Sequence, residues 1–221
     1  MADIRLGNGN DTYLQPEADK NVWNNVFGEE GNDIIKMYQG TAIGGKGNDS
    51  FERIVDPLNP NREFSAAYWD SPAGIFANLA AGWIDDGWGT RDTVVGISKV
   101  HGSGRDDRFL GDGNDNYFHP NGGRDTLDGG GGVDGFDVRE IPPDASGSGT
   151  WRPATLADLS IQVAVDGLSA TVSVRHYPQI TYTSVNMEYL TLINDNNRYP
   201  LSDFITQHTF RAYLKSILFL S

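Results

Sequence analysis

The stretch from Gly102 to Asp137 constrains this chain more than any other. It reads GSGRDDRFL, GDGNDNYFH, PNGGRDTLD and GGGGVDGFD, four nonapeptides with no insertion between them. Position six is Asp107, Asn116, Asp125 and Asp134, and position eight is Phe109, Phe118, Leu127 and Phe136. A fixed short period marks a repeat architecture, because each unit is too small to bury a core alone and must stack on its neighbours. The glycine clusters supply the backbone conformations of tight turns. In a short strand, one apolar side chain per repeat then points inward while its two neighbours point out. Stacked, the repeats form a column of Phe, Phe, Leu and Phe, and each backbone pairs with the turns above and below. The turns expose carboxylates and glycine carbonyls, the hard oxygen ligands that Ca2+ takes six to eight at a time.

These repeats resemble those of the RTX proteins, whose pattern is G-G-x-G-x-D-x-U-x with U a large apolar residue. Gly129 to Asp137 matches at every defined position, and so does GGKGNDSFE, Gly44 to Glu52. The resemblance implies an all-β fold, a parallel β-roll (a β-solenoid), binding several Ca2+ ions between turns two nonapeptides apart. Carried onto this chain, it pairs Asp107 with Asp125 and Asn116 with Asp134. It adds backbone carbonyls from Gly102, Gly104, Gly111, Gly113, Gly122, Gly129 and Gly131. Asn116 and Pro120 depart from the pattern. An amide offers an oxygen without charge, so the site containing Asn116 is expected to be the weaker.

Residues 1–63 carry looser copies of the motif. GNGNDTY places Asp11 at position six and Tyr13 at eight, GEEGNDII does so with Asp33 and Ile35, and Gly44 to Glu52 with Asp49 and Phe51. The aspartates are 22 and then 16 residues apart, which predicts an irregular first stack with insertions. Residues 55–63 read as a surface loop. The segment 64–137 opens with alternating strands, FSAAYWDS, AGIFANLAAG and DTVVGISKV, before the regular array at 102–137. Val94, Ile97 and Val100 step by three, as around a turn of such a coil. The stretch also resembles one that precedes RTX arrays, which makes Asp92 a candidate ligand, its other role being turn formation.

Residues 138–205 are expected to cap the open end of the sheets with β-strands, because an unpaired sheet edge needs cover. EIPPDASGSGTWRP is a loop by composition, and the alternation around Asp166 and Gly167 predicts a hairpin. VNMEYLTLINDNNRYPLSDFI resembles the close of RTX modules. Glu188 there is a further possible ligand, an exposed strand carboxylate being its commoner role. In the tail, 206–221, Phe210, Tyr213, Leu214, Ile217 and Leu218 share one face of a short amphipathic C-terminal helix. It either packs on the sheets or serves as part of a secretion signal.

Composition sets the class. Among 221 residues there are 27 glycines and 30 acidic against 17 basic side chains, a net charge of −13. That excess opposes nucleic acid and anionic membrane and strains a compact state, which divalent cations relieve. There is no cysteine, hence no disulfide or thiolate site. No apolar run approaches the ~20 residues of a membrane span. The N-terminus lacks the regions of a signal peptide and enters a repeat at once, consistent with a part cut from something larger. By the resemblance, the expected location is extracellular, in a Gram-negative bacterium, reached by type I secretion machinery that reads the C-terminus.

Catalysis is not expected. His101, His119, His176 and His208 are scattered, with no HExxH or GxSxG, and position nine places His119 on an exposed face. The carboxylates repeat every nine residues, and no two stand apart as a tuned acid/base pair. Trp23, Trp69, Trp83, Trp88 and Trp151 lie outside the array, with Trp83 and Trp88 flanking IDDGWG. They serve either as core and cap or as sugar-binding faces. The leading expectation is a non-enzymatic calcium-binding module that folds on meeting extracellular Ca2+. The alternative is a calcium-dependent carbohydrate-binding or adhesin-type module with an extracellular polysaccharide as partner.

Overall fold

The computed structural model describes residues 1–138, 140–141, 152–163, 169–175, 177–192 and 198–201. The turn at Asp166 and Gly167 and the tail with its expected helix lie outside the described residues, as does most of the loop 140–153.

The fold is all-β, with two sheets built mainly from parallel strands. The chain alternates between them: β1 (Ala2–Arg5) lies in the first and β2 (Thr12–Leu14) in the second. It continues so through β3 (Asn24–Glu30), β4 (Ile34–Met37), β5 (Gly40–Lys46), β6 (Ser50–Arg53) and β7 (Phe64–Ala67). Then β8 (Phe76–Asn78), β9 (Trp83–Asp85) and β10 (Arg91–Val95) all enter the second sheet, folding back on one another antiparallel. Alternation resumes with β11 (Lys99–His101), β12 (Arg108–Leu110), β13 (Tyr117–His119), β14 (Arg124–Asp128) and β15 (Gly135–Val138). A small pair, β16 (Glu140–Ile141) and β17 (Arg152–Pro153), stands apart. Finally β18 (Leu159–Val163), β19 (Ser169–Val174) and β20 (Tyr177–Val185) extend the second sheet, and β21 (Tyr189–Leu192) and β22 (Arg198–Pro200) the first. The sheets have nine and eleven strands and run through residues 63/64 and 137/138 without a break.

Register follows the nine-residue period. Strands two repeats apart pair in parallel, Phe109 beside Leu127 and Phe118 beside Phe136. Inward rows cross each sheet: Val26, Ala42, Ala66, Val100, Phe118, Phe136 and Leu190 on one side, and Ile35, Phe51 and Val94 on the other. All are buried, Phe109, Phe118 and Phe136 completely. Ile97 is buried with Val94 and Val100, as their three-residue step predicts.

The spacings of 22 and 16 come from the return side. Residues 15–23 and 38–39 carry the chain back, while the turns that hold Asp11, Asp33 and Asp49 stack directly, Tyr13 beside Ile35 and Ile35 beside Phe51. The irregularity lies wholly in the connections. At the far end β20 and β21 pair parallel with β14 and β15, and β19, β18 and β22 follow antiparallel. No described helix is long and apolar enough to cross a membrane.

The stacking is tight enough to test. A Cβ on Gly47, whose φ is +138°, would lie 1.7 Å from the Gly31 carbonyl oxygen, whereas one on Gly104 would meet nothing within 4 Å. Gly47→Ala is therefore expected to cost roughly 2–4 kcal/mol, and Gly104→Ala less than about 0.5 kcal/mol. Denaturant unfolding in saturating calcium checks both. Equal midpoints would mean that the turns are not stacked at this distance.

Candidate metal centre

Positions six and eight lie two apart on a strand, so the acidic side chain shares the inward face with the apolar one. The carboxylate is thereby carried into the edge of the core. There it finds the backbone N–H of the turn before it. Asp11 N–H donates to Asp33, Asp33 N–H to Asp49 and Asp49 N–H to Asp92, at 2.7–2.8 Å. A second column links Ile75 N–H to Asp107 and Asp107 N–H to Asp125, both 2.8 Å. On the opposite edge Asn116 N–H donates to Asp134 (2.7 Å) and Asp134 N–H to Glu188 (2.6 Å).

Position five runs the other way. Asn32 N–H donates to Asn10 and Asn48 N–H to Asn32, both 2.8 Å, while Arg124 N–H reaches Asp106 and Val133 N–H reaches Asp115, both 2.9 Å. Short side chains with an acceptor three bonds from Cα suit such contacts. Two columns of opposite sense thus satisfy turn N–H groups that the strands leave unpaired.

The turns are of two kinds. In five, positions two and four both have positive φ: Gly7 and Gly9, Glu29 and Gly31, Gly45 and Gly47, Asn121 and Gly123, Gly130 and Gly132. Position four is glycine each time, with φ of 122–138°, beyond what a side chain readily adopts. In the turns 102–107 and 111–116, position four is Arg105 or Asn114, and no residue there has positive φ. These turns close on themselves. Asp107 accepts the Ser103 N–H (2.8 Å) and hydroxyl (2.7 Å), and Asn116 Oδ1 accepts the Asp112 N–H (2.8 Å).

The difference decides the fate of the second carboxylate oxygen. In the open turns, Oδ2 of Asp33, Asp49, Asp125 and Asp134 is buried without a hydrogen-bond partner. A Cβ on Gly28, Gly44 or Gly129 would meet that oxygen of Asp33, Asp49 or Asp134 at 2.0–2.5 Å, which is the physical reason for glycine at position one. Pro120 holds that place in the turn of Asp125. No described ion pair with lysine or arginine reaches the four carboxylates.

Burial without counter-charge raises their pKa values. Asp125 is pushed to about 9, chiefly by burial and secondarily by the charges of Asp107 and Asp106. Burial, with Asp49 beside it, takes Asp92 to about 8. Asp49, Asp107 and Asp134 rise to about 6, and Asp33 rises as well, burial being the largest cause in each.

The expected ligands are therefore distributed as columns. Asp11, Asp33, Asp49 and Asp92 form one, Asp107 and Asp125 another, Asn116 and Asp134 a third. Both oxygens of Asp92 are engaged, one by Asp49 N–H and the other by the Tyr68 hydroxyl at 2.9 Å. The Gly102 carbonyl accepts the Asn121 side-chain amide at 2.7 Å. Gly104, Gly113 and Gly122 sit at turn tips with open space beside them, Gly131 has only Gly113 near, and Gly111 and Gly129 lie against the next turn's backbone. Among the described residues no three His, Asp or Glu side chains converge as a metal-holding group. Glu188 is exposed, in keeping with its commoner role, and its carboxylate also ends the third column. His119, expected on an exposed face, is buried at 6% exposure. It stacks on His101 with centroids 4.0 Å apart and lies 2.7 Å from Asp137.

No family model and no curated protein matches the chain. Among solved structures it is similar to the extracellular lipase LipA from Serratia marcescens, at 13% identity and a TM-score of 0.23. The match covers 84% of this chain and 36% of the lipase, so the chain spans about a third of that protein's length.

Proposed function

We propose that this chain is a non-enzymatic calcium-binding module of the RTX kind, a parallel β-roll of a secreted protein that completes its folding on meeting extracellular Ca2+. The observation that carries the reading is the set of four buried, unpartnered carboxylate oxygens on Asp33, Asp49, Asp125 and Asp134. A buried anion without a partner demands a proton or a cation. The donor set fits a hard ion: carboxylates beside stacked turns rich in backbone carbonyls, with no nitrogen or sulfur ligand.

Asp33 and Asp49, on adjacent open turns, and Asp125 and Asp134, each stacked on a closed turn, are the residues that would hold the ions. Each column supplies its carboxylates singly, so the remaining ligands would come from turn carbonyls. The metal would supply charge neutralisation and a cross-link between successive turns. The closed turns of Asp107 and Asn116 satisfy their own oxygens and have least need of it. A net charge of −13 works against compaction until ions bind. The chain would then stay unfolded for type I export in the low-calcium cytosol and fold outside, where calcium is near ~1 mM.

Calorimetric titration in buffers of different ionisation enthalpy tests this. At pH 5, where the metal-free fold is stable and groups such as Asp125 keep their protons in it, calcium is expected to bind with release of protons. Magnesium is expected to give little heat. Equal heats for the two ions, or calcium binding with no protons released at pH 5, would remove the reading.

A further inference from the structure

The three-strand detour β8–β9–β10 builds a wall beside a cleft that neither the columns nor the core requires. Its floor is the outward row Arg5, Phe27 and Ile43, consecutive partners across β1, β3 and β5. Its rim is Glu29, Glu30 and Lys46 from two open turns, and its wall is Asp70 and Trp88 from the detour's loops. The open cleft holds about 240 Å³, the scale of one small ligand unit rather than a drug-sized molecule.

Three observations point to a ligand. First, the wall is rigidly held. Asp86 is fully buried and accepts the N–H groups of Trp88, Gly89 and Thr90 at 2.9, 3.1 and 2.9 Å, with the Thr90 hydroxyl on its other oxygen. The Ser71 hydroxyl donates to the Asp86 carbonyl at 2.7 Å, tying the loop that carries Asp70 to the loop that carries Trp88. A buried carboxylate thus fixes a loop whose tip presents a tryptophan 37% exposed. Lys46 Nζ lies over the Trp88 ring at 5.3 Å from its centroid, whereas Trp83 is covered more closely, by the Arg91 guanidinium at 3.8 Å and by Phe76 edge-on at 5.0 Å. Rigid presentation of an aromatic face is what a binding surface gains from preorganisation.

Second, Glu29 keeps a side chain at φ +80°, where the other open turns have Gly7, Gly45, Asn121 or Gly130. A left-handed glutamate is costly, and such strain gathers at functional positions. Its carboxylate is ion-paired to Arg5 at the rim of the cleft. Third, the polar groups come as oriented donor and acceptor pairs. Arg5 is paired with Glu29, and Lys46 with Glu30 at 2.8 Å, while Asp70 is the additional carboxylate. Two cations against three carboxylates leave one negative charge, which suits hydroxyl groups and repels anions.

We infer that this cleft binds a neutral pyranose unit of a polysaccharide, the sugar ring lying against Trp88 and its hydroxyls shared among Glu29, Arg5 and Asp70. The inference goes beyond the calcium reading and needs only that the turns of Glu29 and Lys46 be folded.

The test is titration with neutral oligosaccharides of glucose, galactose, mannose and N-acetylglucosamine, and with an oligouronate. It is followed by tryptophan fluorescence and calorimetry on the full chain, its β-sheet spectrum verified beforehand. At least one neutral series is expected to bind with fluorescence change, at least tenfold more tightly than the oligouronate. Trp88→Ala and Asp70→Asn are expected to weaken it at least tenfold, and Trp83→Phe to leave affinity within a factor of about two. No neutral sugar bound at about 10 mM, equal affinity in Trp88→Ala, or preference for the uronate would overturn the inference. If EDTA leaves both the β spectrum and sugar binding intact, the calcium reading fails and the cleft stands.

Discussion

In excess EDTA at pH 8 the chain is expected to give the far-UV circular dichroism of an unfolded polypeptide, and calcium raised to about 1 mM to convert it to that of β-sheet. The expectation rests on carboxyls that the fold buries and that no lysine or arginine among the described residues neutralises. Their titration sets the pH dependence. Folded without metal, Asp125 keeps its proton to about pH 9, Asp92 to about 8, and Asp49, Asp107 and Asp134 to about 6. The unfolded chain gives up the same protons near pH 4. The folded state therefore binds more protons over this window, and stability falls as pH rises. The metal-free fold is most stable below about pH 4, loses stability through about 6 as Asp49, Asp107 and Asp134 ionise, and loses more toward 8 and 9 with Asp92 and Asp125. Calcium takes the place of those protons, so the requirement for it should be far weaker at pH 5 than at pH 8. Magnesium, which demands octahedral geometry and sheds water reluctantly, should not substitute. A β spectrum complete in EDTA at pH 8 and indifferent to calcium would end the proposal.

Much of this arrangement was legible in the residues themselves. The i, i+2 relation between Asp125 and Leu127, or Asp49 and Phe51, already places carboxylate and apolar side chain on one face, and strand pairing two repeats apart follows from the period. Asp11, Asp33 and Asp49 were placed in a stack despite spacings of 22 and 16, because the motif marks only the turns, and the connections on the other edge are free to vary. Other features escaped because their cause is spatial. Trp83 to Asp85 lies between the alternating stretches AGIFANLAAG and DTVVGISKV, yet pairing on both sides makes it a strand. Position nine should face water, yet His119 is buried where His101 and Asp137 stand in register beside it. Glu188 was named from the sequence as a further ligand, but its place at the end of the third column carries no periodic mark, since it enters from outside the array. One signal was present and unread. Position four is glycine at 9, 31, 47, 123 and 132 but Arg105 and Asn114 in the middle turns, and only glycine adopts the φ that keeps a turn open.

That distinction yields the second large effect. Replacing Asp by Asn keeps the oxygen that accepts the neighbouring N–H and removes the charge. In an open turn, as in Asp49→Asn or Asp125→Asn, the buried charge that destabilises the metal-free fold disappears together with a calcium ligand. The half-titration point for calcium is then expected to rise about tenfold or more, since affinity follows the count of charged ligands, while the melting temperature in EDTA at pH 5, where the metal-free chain folds, rises. In a closed turn the same change has little to act on. Asp107 already receives the Ser103 N–H and hydroxyl and the Ile75 N–H, and Asn116 is an amide already, engaged with Asp112. Asp107→Asn and Asn116→Asp should move the calcium midpoint less than about threefold. Calcium titrations of the four variants by circular dichroism, with melts in EDTA alongside, separate the cases. Equal shifts at open and closed turns would show that glycine at position four does not select the ion sites. A loss of stability in EDTA for Asp49→Asn would show that its carboxylate is held by the protein alone, with no charge left for a metal to neutralise.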